Sequence, residues 1–454
     1  MEKPHALLIP FPAQGHVKPF MELSYRLIDR GFKITFVNTE FNHSRVVAAS
    51  SDHSHIRLVA IPDGMAPDED RNEVGKLCDG IFRVMPRALE EMIRDVNESD
   101  DDKITCIIAD ASMSWALEVG RTMGIRGAAY WPTSVGLLAL ILHIPKLIED
   151  GVIDTDGFPL KEQIIDLSPT LPAMNTAHFF WLHIGEDPTA QCSFFRCLNH
   201  INQAIKLDNW ILCNSFYEME PSACDSAPNI LPIGPLLAGG RPGQLEGNFW
   251  QEDSTCLSWL DQQPAHSVIY IAFGSFTIFD RRQFQELALA LELSGHPFLW
   301  VVRPDLTDGL SDAYPDGFEA RVANRGRIVG WSPQQKVLAH PSIACFLTHC
   351  GWNSTMEGLS NGVPFLCWPY FVDQFVNRTY ISDVWKVGLG LKPDSGEIIT
   401  KEEIKAKLEE LLGDKGIRAR SLELKVMARK SVGGGGSSSK NFNNFIEEMK
   451  LEKC

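Results

Sequence analysis

The sequence lacks the features that define membrane, disulfide-rich and nucleic-acid-binding proteins. No stretch approaches the roughly 20 consecutive apolar residues that a membrane-spanning helix needs, and the short apolar run near the N-terminus is broken by Pro10 and Pro12, unlike a secretory signal. The eleven cysteines form no CxxC pair, which favours reduced thiols over a disulfide framework. A net charge of -16 would repel nucleic acid and anionic membranes. We therefore expect a cytoplasmic protein without a membrane span or a nucleic-acid partner.

What the chain does contain is a repeated α/β pattern. A length of 454 residues suggests two or three domains. Short apolar runs alternate with longer amphipathic stretches, which predicts βα units with mostly parallel sheets. The pattern starts at a predicted strand over 5–10, followed by a helix from about Val17 to Arg30, and it restarts at a strand over 267–272. We expect two doubly wound domains facing across a cleft, where ligands bind at the carboxyl ends of the strands.

The predicted boundaries follow changes in composition. Residues 1–236 form the first predicted domain, and a segment rich in Gly and Pro over 237–252 is the linker. Residues 253–435 form the second domain. A final helical segment over 436–454 follows four glycines, and we expect it to pack back on the first domain.

The most informative segment is the 44-residue run from Trp331 to Gln374. A strand predicted to end at Thr348 turns through a short segment containing a glycine into a helix that includes Glu357. The N–H groups and the positive dipole end of that helix suit a diphosphate. An aromatic ring at Trp331 suits a flat base, and the carboxylate of Glu357 suits ribose hydroxyls.

Two further residues suggest acid–base chemistry. His16 lies in the loop predicted between the first strand and the first helix, and an imidazole suits a general base near neutral pH. From its position alone, a structural or solvated histidine is equally compatible with the sequence. Asp110 follows a strand predicted over 104–109. Its carboxylate could orient the imidazole and stabilise the imidazolium, although an aspartate in this position could also simply cap the next helix.

The run from Trp331 to Gln374 closely resembles the donor-binding signature of plant family 1 UDP-glycosyltransferases, and the resemblance extends over the whole chain. It implies a GT-B fold with two Rossmann-like domains, and inverting transfer of a sugar from a UDP-sugar without a metal or other cofactor. It also implies that His16 deprotonates an acceptor hydroxyl beside Asp110, and that the protein is a monomer. By the same resemblance, a glutamine at position 374 favours glucose as the transferred sugar. The residues that the resemblance places around the UDP-sugar are Ser275, Trp331, Gln334, His349, Trp352, Asn353, Ser354, Glu357, Asp373 and Gln374.

Other functions are compatible with parts of the sequence. Attack through carbon instead of oxygen stays open, and so does a binding protein of the same fold that does not turn over. The Asp-x-Asp pairs at 68–70 and 154–156 match the spacing of a metal-dependent sugar transferase, but both lie in polar, loop-like stretches that favour a solvated surface. Residues 183–187 match the HxxxD spacing of an acyltransferase, but without the companion segment of that family.

The acceptor is the least defined part of the prediction. Aromatic residues in the first domain suggest a small hydrophobic plant metabolite such as a flavonoid, phenolic or terpenoid. Ordinary core packing explains the same residues equally well. They are Phe82, Trp131, Phe195 and the segment 178–181.

Overall fold

The computed structural model describes residues 3–48, 55–98, 103–166, 173–185, 187–204, 210–237, 249–303, 306 and 313–450. The chain divides into two compact units, one formed by Met1–Phe249 with Lys430–Cys454 and the other by Trp250–Arg429. Most of the predicted linker at 237–252 lies outside the described residues. The return to the first unit at Lys430 comes before the predicted boundary at 436, since the Ser431 hydroxyl already donates to the Gly234 carbonyl at 3.5 Å.

The first unit is built on a seven-stranded, all-parallel sheet of order β3-β2-β1-β4-β5-β8-β9. Because the order reverses at β1, its carboxyl end is a point where side chains from neighbouring connections converge. A separate two-stranded antiparallel ladder pairs β6 with β7. The strands are β1 His5–Ile9, β2 Lys33–Thr39, β3 Arg57–Ile61, β4 Cys106–Asp110, β5 Arg126–Trp131, β6 Ile164–Ile165, β7 Met174–Asn175, β8 Ile211–Cys213 and β9 Ile230–Pro232.

The second unit repeats this design with six parallel strands in the order β12-β11-β10-β13-β14-β15. Its order reverses at β10, as that of the first sheet does at β1. The expected α/β architecture with two doubly wound sheets is therefore present. The strands are β10 Val268–Ala272, β11 Phe298–Val301, β12 Gly326–Val329, β13 Ile343–Thr348, β14 Phe365–Cys367 and β15 Gly388–Gly390.

Helices connect the strands of both sheets. None of those formed by the described residues is long and apolar enough to cross a bilayer. Short 3₁₀ turns lie at 111–113, 176–178 and 180–182, and a π-helical turn lies at 380–384. The α-helices are α1 Gln14–Ile28, α2 Glu40–Ala48, α3 Val74–Asn97, α4 Trp115–Thr122, α5 Val135–Glu149, α6 Pro188–Ala204, α7 Pro221–Ser226, α8 Thr255–Leu260, α9 Arg281–Ser294, α10 Phe318–Val322, α11 Gln334–Ala339, α12 Trp352–Asn361, α13 Gln374–Thr379, α14 Lys401–Gly413, α15 Lys415–Val432 and α16 Ser437–Lys450.

The last helix belongs to the core of the first unit. Its apolar residues recur at intervals of three and four, which places them on one face of α16. That face packs with residues of β1, β2 and α1 in one buried cluster. Burying each such side chain contributes about 1.5–3 kcal/mol, so the distant C-terminal segment stabilises the sheet that carries β1. The buried apolar residues of α16 are Phe442, Phe445, Ile446 and Met449.

Candidate active site and nucleotide-donor site

His16 lies in the first turn of α1, whereas the sequence predicted a loop there and a helix starting at about Val17. The helix begins at Gln14, because the amides of His16 and Val17 both donate to the Ala13 carbonyl at 2.9 Å. The side chain of His16 is 28% exposed. The imidazole is therefore partly open to solvent and close to the positive end of the helix dipole.

Asp110 is fully buried at the end of β4 and contacts His16 directly. Its Oδ2 lies 2.6 Å from Nδ1 of His16. The two residues meet because β1 and β4 are neighbours, with Ile9 beside Ala109, and because α1 begins a few residues after β1. A carboxylate that accepts from Nδ1–H fixes the tautomer in which Nε2 is the basic nitrogen.

Asp110 also has the capping role that the sequence left open. Its Oδ1 accepts from the Ser112 amide at 2.9 Å and caps the 3₁₀ turn at 111–113. The amide of Phe11 approaches Oδ2 at 3.5 Å. These contacts hold the carboxylate rigidly, so capping and orientation of His16 are performed by the same side chain.

The predicted donor residues all follow strands of the second sheet at its carboxyl edge. Ser275 follows β10, Trp331 follows β12 and His349 follows β13, while Asp373 and Gln374 come after β14. Since the carboxyl ends of parallel strands share one edge, the fold brings together residues that are far apart in sequence. The anion-binding helix predicted after Thr348 is α12, which begins at Trp352 behind Gly351.

Trp331 is half-buried and stacked on a residue that the sequence analysis missed. The rings of Trp331 and Trp250 lie 4.7 Å apart at 24°. Arg303 lies over the Trp250 ring, with its Cζ 5.7 Å from the centroid. The position of Trp331 is therefore set by a layer of aromatic and cationic groups, a geometry that stabilises a flat ring.

Gln334 links three other residues of the site. Its amide nitrogen donates to Ser354 Oγ at 2.9 Å and to Glu357 Oε2 at 2.7 Å. Its amide oxygen accepts from the hydroxyl of Tyr270 at 3.1 Å. Tyr270, on β10, was not predicted, and its fully buried ring shows only as an apolar strand residue in the sequence. Glu357 also accepts from Gln335 at 3.1 Å, so its carboxylate is held on both oxygens.

His349 is 9% exposed and packed closely between glycines. A Cβ at Gly274 would lie 2.5 Å from its Nε2, and Gly351 approaches the same atom. Burial lowers the pKa of His349 to about 4, with a smaller contribution from the positive charge of Arg303. The imidazole is therefore neutral at physiological pH and can act through hydrogen bonds but not through charge.

The remaining predicted residues differ in how they face the site. Trp352 is buried with its ring 6.4 Å from that of Trp385, so its side chain packs inward. Asn353 is half-buried beside it. The amide oxygen of Gln374 accepts from the backbone N–H groups of Tyr370 and Phe371, so a ligand would meet its NH₂ group.

Two non-glycine residues adopt left-handed backbone conformations next to predicted donor residues, Cys350 directly after His349 and Val372 directly before Asp373. Cys350 has φ of 66° and precedes Gly351 at the start of α12. Val372 has φ of 49° and precedes Asp373. Such conformations are unfavourable for residues with a Cβ and tend to occur at functional sites.

The aromatic residues considered for an acceptor pocket mostly pack on each other. Phe179 stacks on Trp181 at 4.5 Å, and Phe195 lies 5.5 Å from the same indole. These three side chains are at most 1% exposed. Phe82 is half-buried against His200, with ring centroids 4.9 Å apart, and His178 is exposed. Core packing therefore accounts for most of this group.

Comparisons with known proteins identify the family. A sequence model described as "UDP-glucoronosyl and UDP-glucosyl transferase" matches residues 248–429. The chain is 41% identical to UDP-glycosyltransferase 83A1 of Arabidopsis thaliana, covering 100% of this chain and 98% of that protein.

Solved structures agree with this assignment. A UDP-glucosyltransferase from Polygonum tinctorium, described as capable of glucosylating indoxyl and complexed with 3,4-dichloroaniline, superposes with a TM-score of 0.85 at 28% identity, covering 99% of each chain. Phytolacca americana UGT2, complexed with UDP-2fluoro-glucose and pterostilbene, gives a TM-score of 0.82 at 28% identity and 99% coverage of each chain. The expected GT-B fold is confirmed. The chain belongs to the plant UDP-glycosyltransferases, enzymes that transfer a sugar from a UDP-sugar to small metabolites.

Proposed function

We propose that this enzyme transfers glucose from UDP-glucose to a hydroxyl of a small hydrophobic plant metabolite, with inversion at the anomeric carbon and His16 as the general base. The observation that carries the proposal is the 2.6 Å contact between His16 Nδ1 and the fully buried carboxylate of Asp110. Together they form an oriented base whose protonated form is stabilised by a fixed negative charge.

In the proposed step, Nε2 of His16 removes the proton of the acceptor hydroxyl while the oxygen attacks the anomeric carbon. The bond from that carbon to the UDP oxygen breaks, and UDP leaves with the electron pair. An α-linked donor would give a β-glycoside. The N–H groups at the start of α12 would donate to the diphosphate as its charge develops, with the neutral His349 packed beside them.

The proposed donor site uses the residues at the carboxyl edge of the second sheet. Trp331 would stack on uracil, Gln334 would lie near uracil and ribose, and Glu357 would accept from ribose hydroxyls. Ser275, Trp352, Asn353 and Ser354 would surround the diphosphate together with His349. Asp373 and Gln374 would hold the sugar, and glucose is the proposed sugar because of Gln374. No metal or other cofactor enters this scheme.

The proposed acceptors are flavonoids, phenolics and terpenoids. The two structural neighbours described above were complexed with aromatic compounds, pterostilbene and 3,4-dichloroaniline. We further propose that the protein is cytoplasmic, a location that the ten free cysteines among the described residues favour. We also propose that it is a monomer, as the family resemblance implies.

A UDP-release assay with UDP-glucose and a mixed acceptor panel tests the proposal, with His16→Ala beside a matched histidine control. His296→Ala suits this purpose because His296 lies before β11, at the opposite edge of the second sheet from the donor residues. We expect acceptor-dependent release that falls at least about 100-fold in His16→Ala and not in His296→Ala. Full activity of His16→Ala would refute the assigned base. Acid-stable products would indicate a bond to carbon instead of oxygen, and release with another UDP-sugar alone would refute glucose.

A further inference from the structure

Arg303 is a buried cation at the carboxyl edge of the second sheet. It lies just after β11 and is 2% exposed. Its guanidinium donates to the carbonyl of Gly274 at 2.9 Å and to that of Thr277 at 2.7 Å. Because these two carbonyls flank Ser275, Arg303 fixes the loop that carries a proposed diphosphate contact.

The same loop connects Arg303 to His349. Gly274 has φ of 66° and lies so close to His349 that a Cβ would come within 2.5 Å of Nε2. His349 is neutral at physiological pH, because burial lowers its pKa to about 4. A guanidinium, in contrast, stays protonated at any physiological pH. Of these two groups, Arg303 alone carries a full positive charge when a nucleotide binds.

A positive charge close to the proposed diphosphate subsite would offset the negative net charge of the chain. The chain has a net charge of -16, so its long-range field disfavours an anionic nucleotide. The start of α12 supplies only a partial charge. A buried guanidinium is screened less by water and salt than a surface lysine would be.

We propose that Arg303 is the fixed positive charge that favours the diphosphate of the donor, acting through the 274–277 loop and not by direct contact. It is a positioning residue that orders Ser275 and raises the electrostatic potential at the diphosphate subsite. The inference rests on the donor site proposed above. It predicts that the contribution of Arg303 grows with the charge of the nucleotide.

Calorimetric titration of UDP, UMP and uridine into wild type and Arg303→Gln tests this dependence. We expect the variant to bind UDP about tenfold more weakly, UMP less so, and uridine within about twofold of wild type. Since Arg303 also lies over Trp250, the uridine titration measures any loss of base stacking separately. Equal losses for all three ligands would show a purely structural role and would overturn the proposal.

Arg325→Gln is a matched control. Arg325 also donates to backbone carbonyls, those of Leu291, Glu292 and His296, but it precedes β12 at the opposite edge of the sheet. Arg325→Gln should leave the ratio of UDP affinity to uridine affinity unchanged. A tenfold fall in that ratio would show that the loss of any arginine produces the effect, and it would overturn the proposal.

Arg303→Lys keeps the inference testable if Arg303→Gln fails to fold. Lysine retains the charge but not the planar fork, so the ratio of UDP to uridine affinity should stay within about threefold of wild type. A tenfold fall in that ratio with the charge retained would overturn the proposal. If wild type itself bound no UDP, the proposed donor site would fail; if it bound UDP and the ratio did not respond to Arg303→Gln, only the role of Arg303 would fail.

Discussion

Replacing Asp110 with asparagine should slow sugar transfer without disturbing the donor site. In the proposed mechanism, transfer creates an imidazolium on His16, in the first turn of α1, where the helix dipole already contributes partial positive charge. The carboxylate of Asp110, 2.6 Å from Nδ1, offsets both the imidazolium charge and the positive end of the helix dipole. Asparagine keeps the shape but has a single acceptor oxygen, so it can accept from Nδ1–H or from the Ser112 amide but not from both, and it removes the charge.

The size of the effect follows from the geometry. Two unit charges about 4 Å apart interact by about 4 kcal/mol at an effective dielectric constant near 20. Since His16 is 28% exposed, solvent screens part of this energy. We therefore expect kcat to fall by about 100-fold to 1,000-fold, with the KM for UDP-glucose within about twofold of wild type.

A series of phenolic acceptors distinguishes the loss of a base from a general loss of structure. An acceptor whose hydroxyl is already acidic needs less help from His16, so the deficit of Asp110→Asn should shrink as the acceptor pKa falls toward neutrality. Asp63→Asn is the matched control, because Asp63 is a buried carboxylate whose partner is Arg71 at 3.2 Å. Its kcat should stay within about threefold. The melting temperature of Asp110→Asn shows whether the variant is folded. If the folded variant keeps more than half of the wild-type kcat with a weakly acidic alcohol, the reasoning is refuted.

Three further predictions concern the second unit. The pKa of His349 is about 4 in the folded protein and about 6.5 in the unfolded chain, so the free energy of unfolding should fall by roughly 3 kcal/mol as the pH decreases from 6.5 to 4. Urea titrations of His349→Asn should lack this contribution. The same pH dependence in the variant and in wild type would contradict the prediction. Gly295→Ala should lose about 1–2 kcal/mol of stability because its φ is positive. Gly274→Ala should lose more, because its φ is also positive and its Cβ would meet His349, and it alone should weaken UDP binding in calorimetry; an equal loss of affinity in both variants would contradict this. Trp250→Ala should weaken uridine binding about threefold to tenfold, because it removes the ring stacked on Trp331, whereas Trp250→Phe should retain most of the affinity. Identical dissociation constants of the two variants for uridine would contradict a role of the stacked ring.

The local parts of the donor site were predictable because they lie in one continuous segment. The strand ending at Thr348 and the helix from Trp352 follow from apolar periodicity and a glycine turn. Asp110 was predictable from its place at a strand end. The start of α1 was misplaced by three residues, since no capping side chain marks it and Ala13 gives no sequence signal.

The supporting residues could not be predicted in the same way. Tyr270 and Arg303 are far from the signature in sequence and reach it because β10, β11 and β12 lie side by side in the sheet. Trp250 reaches Trp331 because the segment before α8 runs beside the end of β12, where the Asp253 amide donates to the Trp331 carbonyl at 2.8 Å. In sequence, Tyr270 is one apolar residue in a buried strand, and Arg303 is one charged residue after another strand. Their roles depend on strand order, which periodicity alone does not give.

Asn377 shows how the fold couples two parts of the proposed donor site. Its side-chain amide donates to the Cys350 carbonyl at 2.9 Å and to Asp373 Oδ2 at 2.8 Å. Cys350, whose backbone is left-handed, lies in the turn before α12, and its carbonyl points toward the side chain of Asn377. Asn377 is fully buried. One amide therefore fixes the loop proposed to bind the diphosphate and the carboxylate proposed to bind the sugar relative to each other. Since a UDP-sugar presents its diphosphate and its sugar at a fixed covalent spacing, such a shared support lowers the ordering that binding would otherwise require.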